Sequence, residues 1–226
     1  MKMKIIKCAP YPYLKEGCSL YESFDLLGKS IYSPQIFDNS VIKNDFSDVR
    51  IILCSDTLRA IQTANLIQKK IKHIIKIIPT NLLREVAHAM NQFINEMEFN
   101  NNGEEYKIKT SSEIKYFNVN IRLARKRFIE AFVKNQLTES KESVINRIQD
   151  LLQVLKELAK DNKQILCISH GFFIRIMQLI HADINILNKP LELVKLFNPN
   201  TKGCGSGEGF EIDLETINNE KRGEIK

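Results

Sequence analysis

At 226 residues, with 43% apolar and 27% charged side chains, the chain is long enough for one domain with a full core and is ordinary in composition for a globular protein. The net charge of +6 and pI near 9.0 favour anionic small molecules or surfaces, but the basic residues are spread along the chain, which argues against nucleic acid. No apolar run is long enough to span a bilayer, the first seven residues lack a signal peptide's apolar stretch, and five cysteines without a CxxC pair predict free thiols in a reducing compartment, the cytosol.

In chain order, residues 3–8 read as a buried strand. Pro10 and Pro12 then forbid a regular helix or a central strand. A helical pattern over 17–27 ends at Gly28, which suits a C-cap. Residues 29–48 are loop-like. A second buried strand is expected at 49–54, followed by a helix over 56–72 with Leu58, Ile61, Ala64, Leu66 and Ile67 on its apolar face. A short strand over 74–78 is closed by Pro79. Residues 86–118 lack a sustained period and carry a turn signal at Asn100-Asn101-Asn102-Gly103. They are read as an insertion or cap on a single domain covering 1–226.

Helices are expected at 118–134 and 140–160. In the second, Val144, Ile148, Leu151, Leu155 and Leu158 recur at spacings of four and three and make one buried stripe. A third core strand is expected at 164–169, a helix at 172–180, and two last strands at 191–197 and 209–214. Gly203, Gly205 and Gly207 between those strands suggest a mobile hairpin.

Strands alternating with helices imply an α/β, three-layer sandwich: a mostly parallel sheet with helices on both faces. Such sheets bind ligands at the carboxyl ends of their strands. Three strand-ends carry chemistry there. The first reads Ile5-Ile6-Lys7-Cys8-Ala9. The second enters a helix through Cys54-Ser55-Asp56-Thr57-Leu58-Arg59. The third enters one through Cys167-Ile168-Ser169-His170-Gly171. A helix N-terminus offers unpaired N–H groups and partial positive charge, so two such junctions with Arg59 and His170 predict a phosphate seat.

These pieces resemble the histidine phosphatase superfamily, the phosphoglycerate mutase-like family. Ser55 to Ala64 is similar to its S-x-x-x-R-A-x-x-T-A motif, and Ser169-His170-Gly171 to its second catalytic histidine motif. Leu83-Arg84-Glu85 resembles the segment whose carboxylate donates a proton. Glu142-Ser143 followed by Arg147 resembles the helix before the last motif, and Leu14-Lys15-Glu16-Gly17 the opening of the first helix. The resemblance implies phosphomonoester hydrolysis. A histidine after the first strand attacks phosphorus, while arginines and the second histidine hold the phosphoryl oxygens. The acid protonates the leaving oxygen, and water releases the phosphohistidine. It implies Cys8, Glu85 and His170 at the catalytic positions, Lys7, Arg59, His170 and Gly171 around the phosphate, and no metal or other cofactor. The types make sense as chemistry: developing charge on phosphorus needs cations aimed at it, and the leaving alkoxide needs a proton.

The first motif departs from the family. Lys7-Cys8-Ala9 stands where Arg-His-Gly is expected, and the loop after it is short, which disfavours a mutase. Lysine keeps the charge but loses bidentate binding. Cys8 is open to two readings: a small buried residue, or a replacement nucleophile whose thiol pKa is lowered by Lys7, Arg59 and His170. Three functions follow: a degenerate phosphatase that binds a small phosphorylated molecule or phosphoprotein, an active phosphatase using Cys8 or His170, and an interaction scaffold. Cys54 and Cys167 fall near the same edge but have no metal-ligand spacing, and core packing accounts for them. His73 and His88 read as surface residues, and His181 as a helix-end residue. Tyr11 and Tyr13 are candidates for the pocket rim.

Overall fold

Neighbouring residues on the central strands face opposite ways, and this divides the apolar interior in two. Ile5, Leu53, Ile165 and Cys167 join one buried cluster, whereas Ile6, Ile52, Leu166 and Ile168 join the other. That alternation is the period of an extended strand, and burial on both sides is why these segments read as unbroken apolar runs. The computed structural model describes residues 2–38, 40, 42–110, 112–160, 164–182, 189, 191–192 and 204–213.

Among the described residues, five strands form the sheet: β1 (Lys2–Lys7), β2 (Val49–Ser55), β3 (Lys76–Thr80), β6 (Gln164–Ser169) and β7 (Gly209–Asp213). The order is β3-β2-β6-β1-β7. All neighbours pair in parallel except β1 and β7, which are antiparallel. Helices cover both faces, giving the three-layer α/β sandwich. The first cluster is closed by α4 (Ile121–Val133), α5 (Lys141–Ala159) and α6 (Gly171–Ala182), through Phe128, Phe132, Leu151, Leu155, Phe173 and Met177. The second is closed by α2 (Leu58–Gln68), through Ala60, Ala64 and Ile67. Because β2, β6 and β1 are adjacent, their carboxyl ends lie side by side, with Cys8 N–H donating to the Ser169 carbonyl at 3.0 Å.

The helix starts are shorter than periodicity predicts. α1 (Leu20–Gly28) begins at Leu20, because the Ser19 side chain accepts from Glu22 N–H while Glu22 accepts from Ser19 N–H, a reciprocal cap. The 56–72 expectation contracts to α2, with Thr57 as its N-cap. Pro79 does not close β3 but sits inside it, opposite Cys54; β3 is an edge strand, where the missing N–H costs nothing.

The 86–118 segment contains structure that no helical period announced. α3 (Glu96–Asn100) is capped by Asn95, and β4 (Glu104–Lys109) and β5 (Ile114–Val119) form an antiparallel hairpin. The strands of this hairpin are largely exposed, so their sequence is mostly polar. Phe99 of α3 and Ile108 and Val119 of the hairpin are buried and pack into the same cluster as α4 and α5. The strand expected at 191–197 lies, beyond Leu191 and Glu192, outside the described residues, as does Gly203. The turn before β7 is tied to β1: Gly207 N–H donates to the Lys7 carbonyl at 2.9 Å, and Lys7 N–H donates to Glu208 at 2.9 Å. No helix among the described residues is long and apolar enough to cross a membrane.

Candidate functional site

One side chain ties the first two motifs together. Thr63 is fully buried one turn after Arg59 on α2. Its hydroxyl donates to the Arg59 carbonyl at 2.6 Å and accepts from Ala9 N–H at 2.9 Å. The chain leaving β1 is therefore pinned to the helix that carries Arg59. This is the physical content of the threonine in the second motif.

Arg59 is 4% exposed, and its guanidinium lies 5.1 Å from the Tyr11 ring centroid. Its Nη2 donates to His170 Nδ1 at 3.1 Å. Since arginine only donates, Nδ1 accepts, and the imidazole proton is on Nε2, which donates to Thr57 Oγ1 at 3.3 Å. Burial first, then the charges of Arg59, Lys7 and Arg147, hold the His170 pKa well below the usual histidine range, so the ring is neutral. Arg59 Nε is buried without a hydrogen-bond partner. A buried orphan donor on a cation costs on the order of 1–3 kcal/mol, more for a charged group, unless something fills it.

Cys8 stands where the family carries its first catalytic histidine. It is fully buried, with its Sγ 4.0 Å from His170 Nδ1. The expectation of a lowered thiol pKa is wrong. Burial raises it, and Arg59 and Lys7 offset that only in part, because a thiolate there loses its water. Cys8 is a thiol, held as a small buried group.

Glu85 does not stand free as an acid facing the phosphate seat. Its carboxylate accepts from Phe172 N–H at 3.1 Å and Phe173 N–H at 2.8 Å, and also from Val86 N–H at 3.1 Å. It caps α6, so the N–H groups expected to seat an anion at that helix are partly taken by the protein's own carboxylate. Arg147 braces this segment. It forms a two-pronged ion pair with Glu139 at 2.9 and 2.8 Å and donates to the Leu82 and Arg84 carbonyls at 3.2 and 2.7 Å. The arginine of the helix motif thus shapes the Glu85 loop and does not itself line the cavity.

A cavity of 180 Å³ opens beside these groups, lined by Lys7, Arg59, Glu85 and Gly171 on the polar side. Cys8 and His170 lie behind that wall, fully or almost fully buried. Lys7 Nζ donates to Tyr13 OH at 3.0 Å, and the Tyr13 oxygen raises the Lys7 pKa above the usual lysine range, so it stays charged. A Cβ on Gly171 would meet only the Lys7 chain, at 3.9 Å.

Sequence reasoning missed several residues here. His88 is not a surface residue but is 5% exposed. Its Nδ1–H donates to the Val86 carbonyl at 2.7 Å, and its ring sits among Phe93, Phe128 and Phe172. It comes from the segment without a period, so nothing in the sequence marked its burial. Thr57 lay inside the second motif unremarked. Arg125 and Arg175 also line the cavity, and only their helical positions could have hinted at it. Cys54 and Cys167 belong to opposite cores, and burial pushes the Cys54 thiol up to about 11. His73 is half-buried and bonds the Val49 carbonyl at 2.7 Å, and His181 lies in the last turn of α6.

A sequence model of the histidine phosphatase superfamily (branch 1) matches residues 42–190, about two thirds of the chain. The chain belongs to that superfamily. No curated protein matches it significantly. Among solved structures it is similar to a mycobacterial hydrolase, at 14% identity over 91% of this chain and 86% of that one, with a TM-score of 0.41. It is also similar to a phosphoserine phosphatase mutant from Entamoeba histolytica in complex with phosphoserine, at 17% identity, 87% and 85% coverage and a TM-score of 0.38. A phosphoglycerate mutase from Bacillus anthracis matches at 15% identity, 98% and 96% coverage and a TM-score of 0.41.

Proposed function

We propose that this member of the superfamily recognises a phosphoester at Arg59 and Lys7, with His170 bonded to Arg59 behind them, and has lost the family's covalent route through the first strand. The observation that carries the reading is the Arg59 guanidinium: buried, charged, beside His170, and with Nε lacking any partner. An anionic oxygen arriving there supplies an acceptor for Nε and a second for Nη2. Lys7 adds a point charge from the neighbouring strand-end. Loss of the imidazole contact frees His170 Nδ1, and a phosphate dianion nearby favours protonation of the ring.

The nucleophile is what is missing. A buried thiol at Cys8 has no thiolate to offer at neutral pH. The Glu85 oxygens accept three N–H groups rather than presenting a proton to a leaving group. Recognition therefore survives where transfer does not. The ligand is a small phosphorylated molecule, with the 86–118 segment as the cap that gives the pocket its far wall.

Calorimetric titration of phenyl phosphate into the wild-type protein and Arg59→Ala tests this. Saturable binding lost in the variant supports it. Equal heats for both proteins, or none for either, overturn it.

A further inference from the structure

The cavity beside Arg59 and Lys7 is walled largely by aromatic rings. Phe24 of α1, Phe93, Phe99 of α3 and Phe172 of α6 reach it from four separate segments. These rings brace one another. Phe24 meets Phe99 edge-on at 5.9 Å, Phe93 meets Phe128 edge-on at 5.6 Å, and Phe128 stacks on Phe172 at 3.7 Å. The wall therefore stands formed before a ligand arrives, and a ligand has little ordering left to do.

Several polar groups of the lining already have partners. Both Glu85 oxygens accept backbone N–H groups. His88 is kept neutral by burial, with Nδ1–H on the Val86 carbonyl. Arg175 donates to Gln178 at 3.4 Å, and Gln178 to Cys204 Sγ at 3.5 Å. Ala124 lines the cavity one turn before Phe128 on α4 and has nothing beyond its Cβ, so a longer side chain there would take up the space. The volume of 180 Å³ exceeds the roughly 150 Å³ of an apolar cavity that accepts benzene.

We infer that the phosphoester recognised here carries an apolar, ring-sized body, held against Phe24, Phe93, Phe99 and Phe172. This names the ligand class of the proposed phosphate site and rests on that reading. Continuity decides the occupant. The cations and the rings line one cavity, so a phosphoester seated at Arg59 places its remainder against apolar surface. A short polar body there gives up water for rings that return no hydrogen bond, whereas an apolar body gains by leaving water. The 86–118 segment supplies Phe93 and Phe99, and so selects the ligand as well as covering it.

The test is ³¹P NMR titration of phenyl phosphate and glycerol 3-phosphate into the wild-type protein and Ala124→Leu, at about pH 8, where both esters are dianions. The two probes share the phosphate and differ in the body. Phenyl phosphate is expected to bind the wild type on the order of tenfold more tightly, part of what burying one ring contributes. Ala124→Leu is expected to remove most of that preference by filling the space. If it melts early, Ala124→Val takes its place. Phenyl phosphate that binds, but within about threefold of glycerol 3-phosphate, overturns this inference and leaves the phosphate site standing. A preference retained in full by the filled variant also overturns it. No binding of phenyl phosphate at all removes the parent reading, and this one with it.

Discussion

Arg59 Nη2 donates to His170 Nδ1 at 3.1 Å, and this contact joins the β2–α2 junction to the β6–α6 junction across the carboxyl edge of the sheet. Neither residue is satisfied by it alone. Arg59 still has an unpartnered Nε, and His170 is a neutral ring crowded by cations. Replacing Arg59 with alanine removes both donors and is expected to weaken phenyl phosphate binding on the order of 100-fold. Arg59→Lys keeps the charge but not the fork, and is expected to recover less than half of that free energy. Calorimetry on the three proteins checks the order.

Protons act on the same pair. Burial, and then Arg59 for His170, lower the His170 pKa, and burial lowers that of His88 as well. The unfolded imidazoles take protons near pH 6.5, while the folded ones take them only at lower pH. Between those values the unfolded chain binds more protons, so stability is complete above about pH 6.5 and falls as the pH drops below it. Each histidine contributes a slope of up to about 1.4 kcal/mol per pH unit. Melting curves between pH 5.0 and 7.5 should show this fall, and His88→Phe should reduce its slope. A flat profile contradicts the assignment of two buried neutral rings.

Cys8 is expected to be inert. Iodoacetamide at pH 7.5, followed by peptide mapping, should label Cys18 and Cys204, which are partly exposed, and leave Cys8 unmodified in the folded protein. Cys8→Ser should bind phenyl phosphate as the wild type does. Labelling of Cys8 before Cys18 would show an accessible thiolate instead.

Arg147 acts on the site from behind. Its ion pair with Glu139 is only 13% and 14% exposed, and its other prongs hold two carbonyls of the loop that carries Glu85. Arg147→Ala leaves Glu139 without its cation and is expected to cost about 3 kcal/mol, or roughly 6–12 °C in Tm for a chain of this size. A change under 1 °C in calorimetric scans would show that the loop is held by other contacts.

What the residues declared in advance follows from how local each signal was. The buried strands at 49–54 and 164–169 and the stripe on α5 were legible because each repeats its own period. The motifs placed Arg59 and His170 at one edge because both follow core strands directly. Three things were not legible. The β4–β5 hairpin is mostly exposed and therefore carries no apolar alternation. The burial of His88 depends on aromatics from α4, α6 and the 86–118 segment, which come together only in the fold. The Cys8 pKa depended on whether charge or lost water dominates, and that depends on a burial depth the sequence does not state.

Recognition without transfer is tested most directly by ³¹P NMR of phenyl phosphate mixed with the protein. The account predicts a saturable shift or broadening of the ester resonance, absent with Arg59→Ala, and no growth of inorganic phosphate, phosphohistidine or S-phosphocysteine signals over hours. An ester signal untouched by the protein, or one converted to inorganic phosphate faster than with Arg59→Ala, would contradict it.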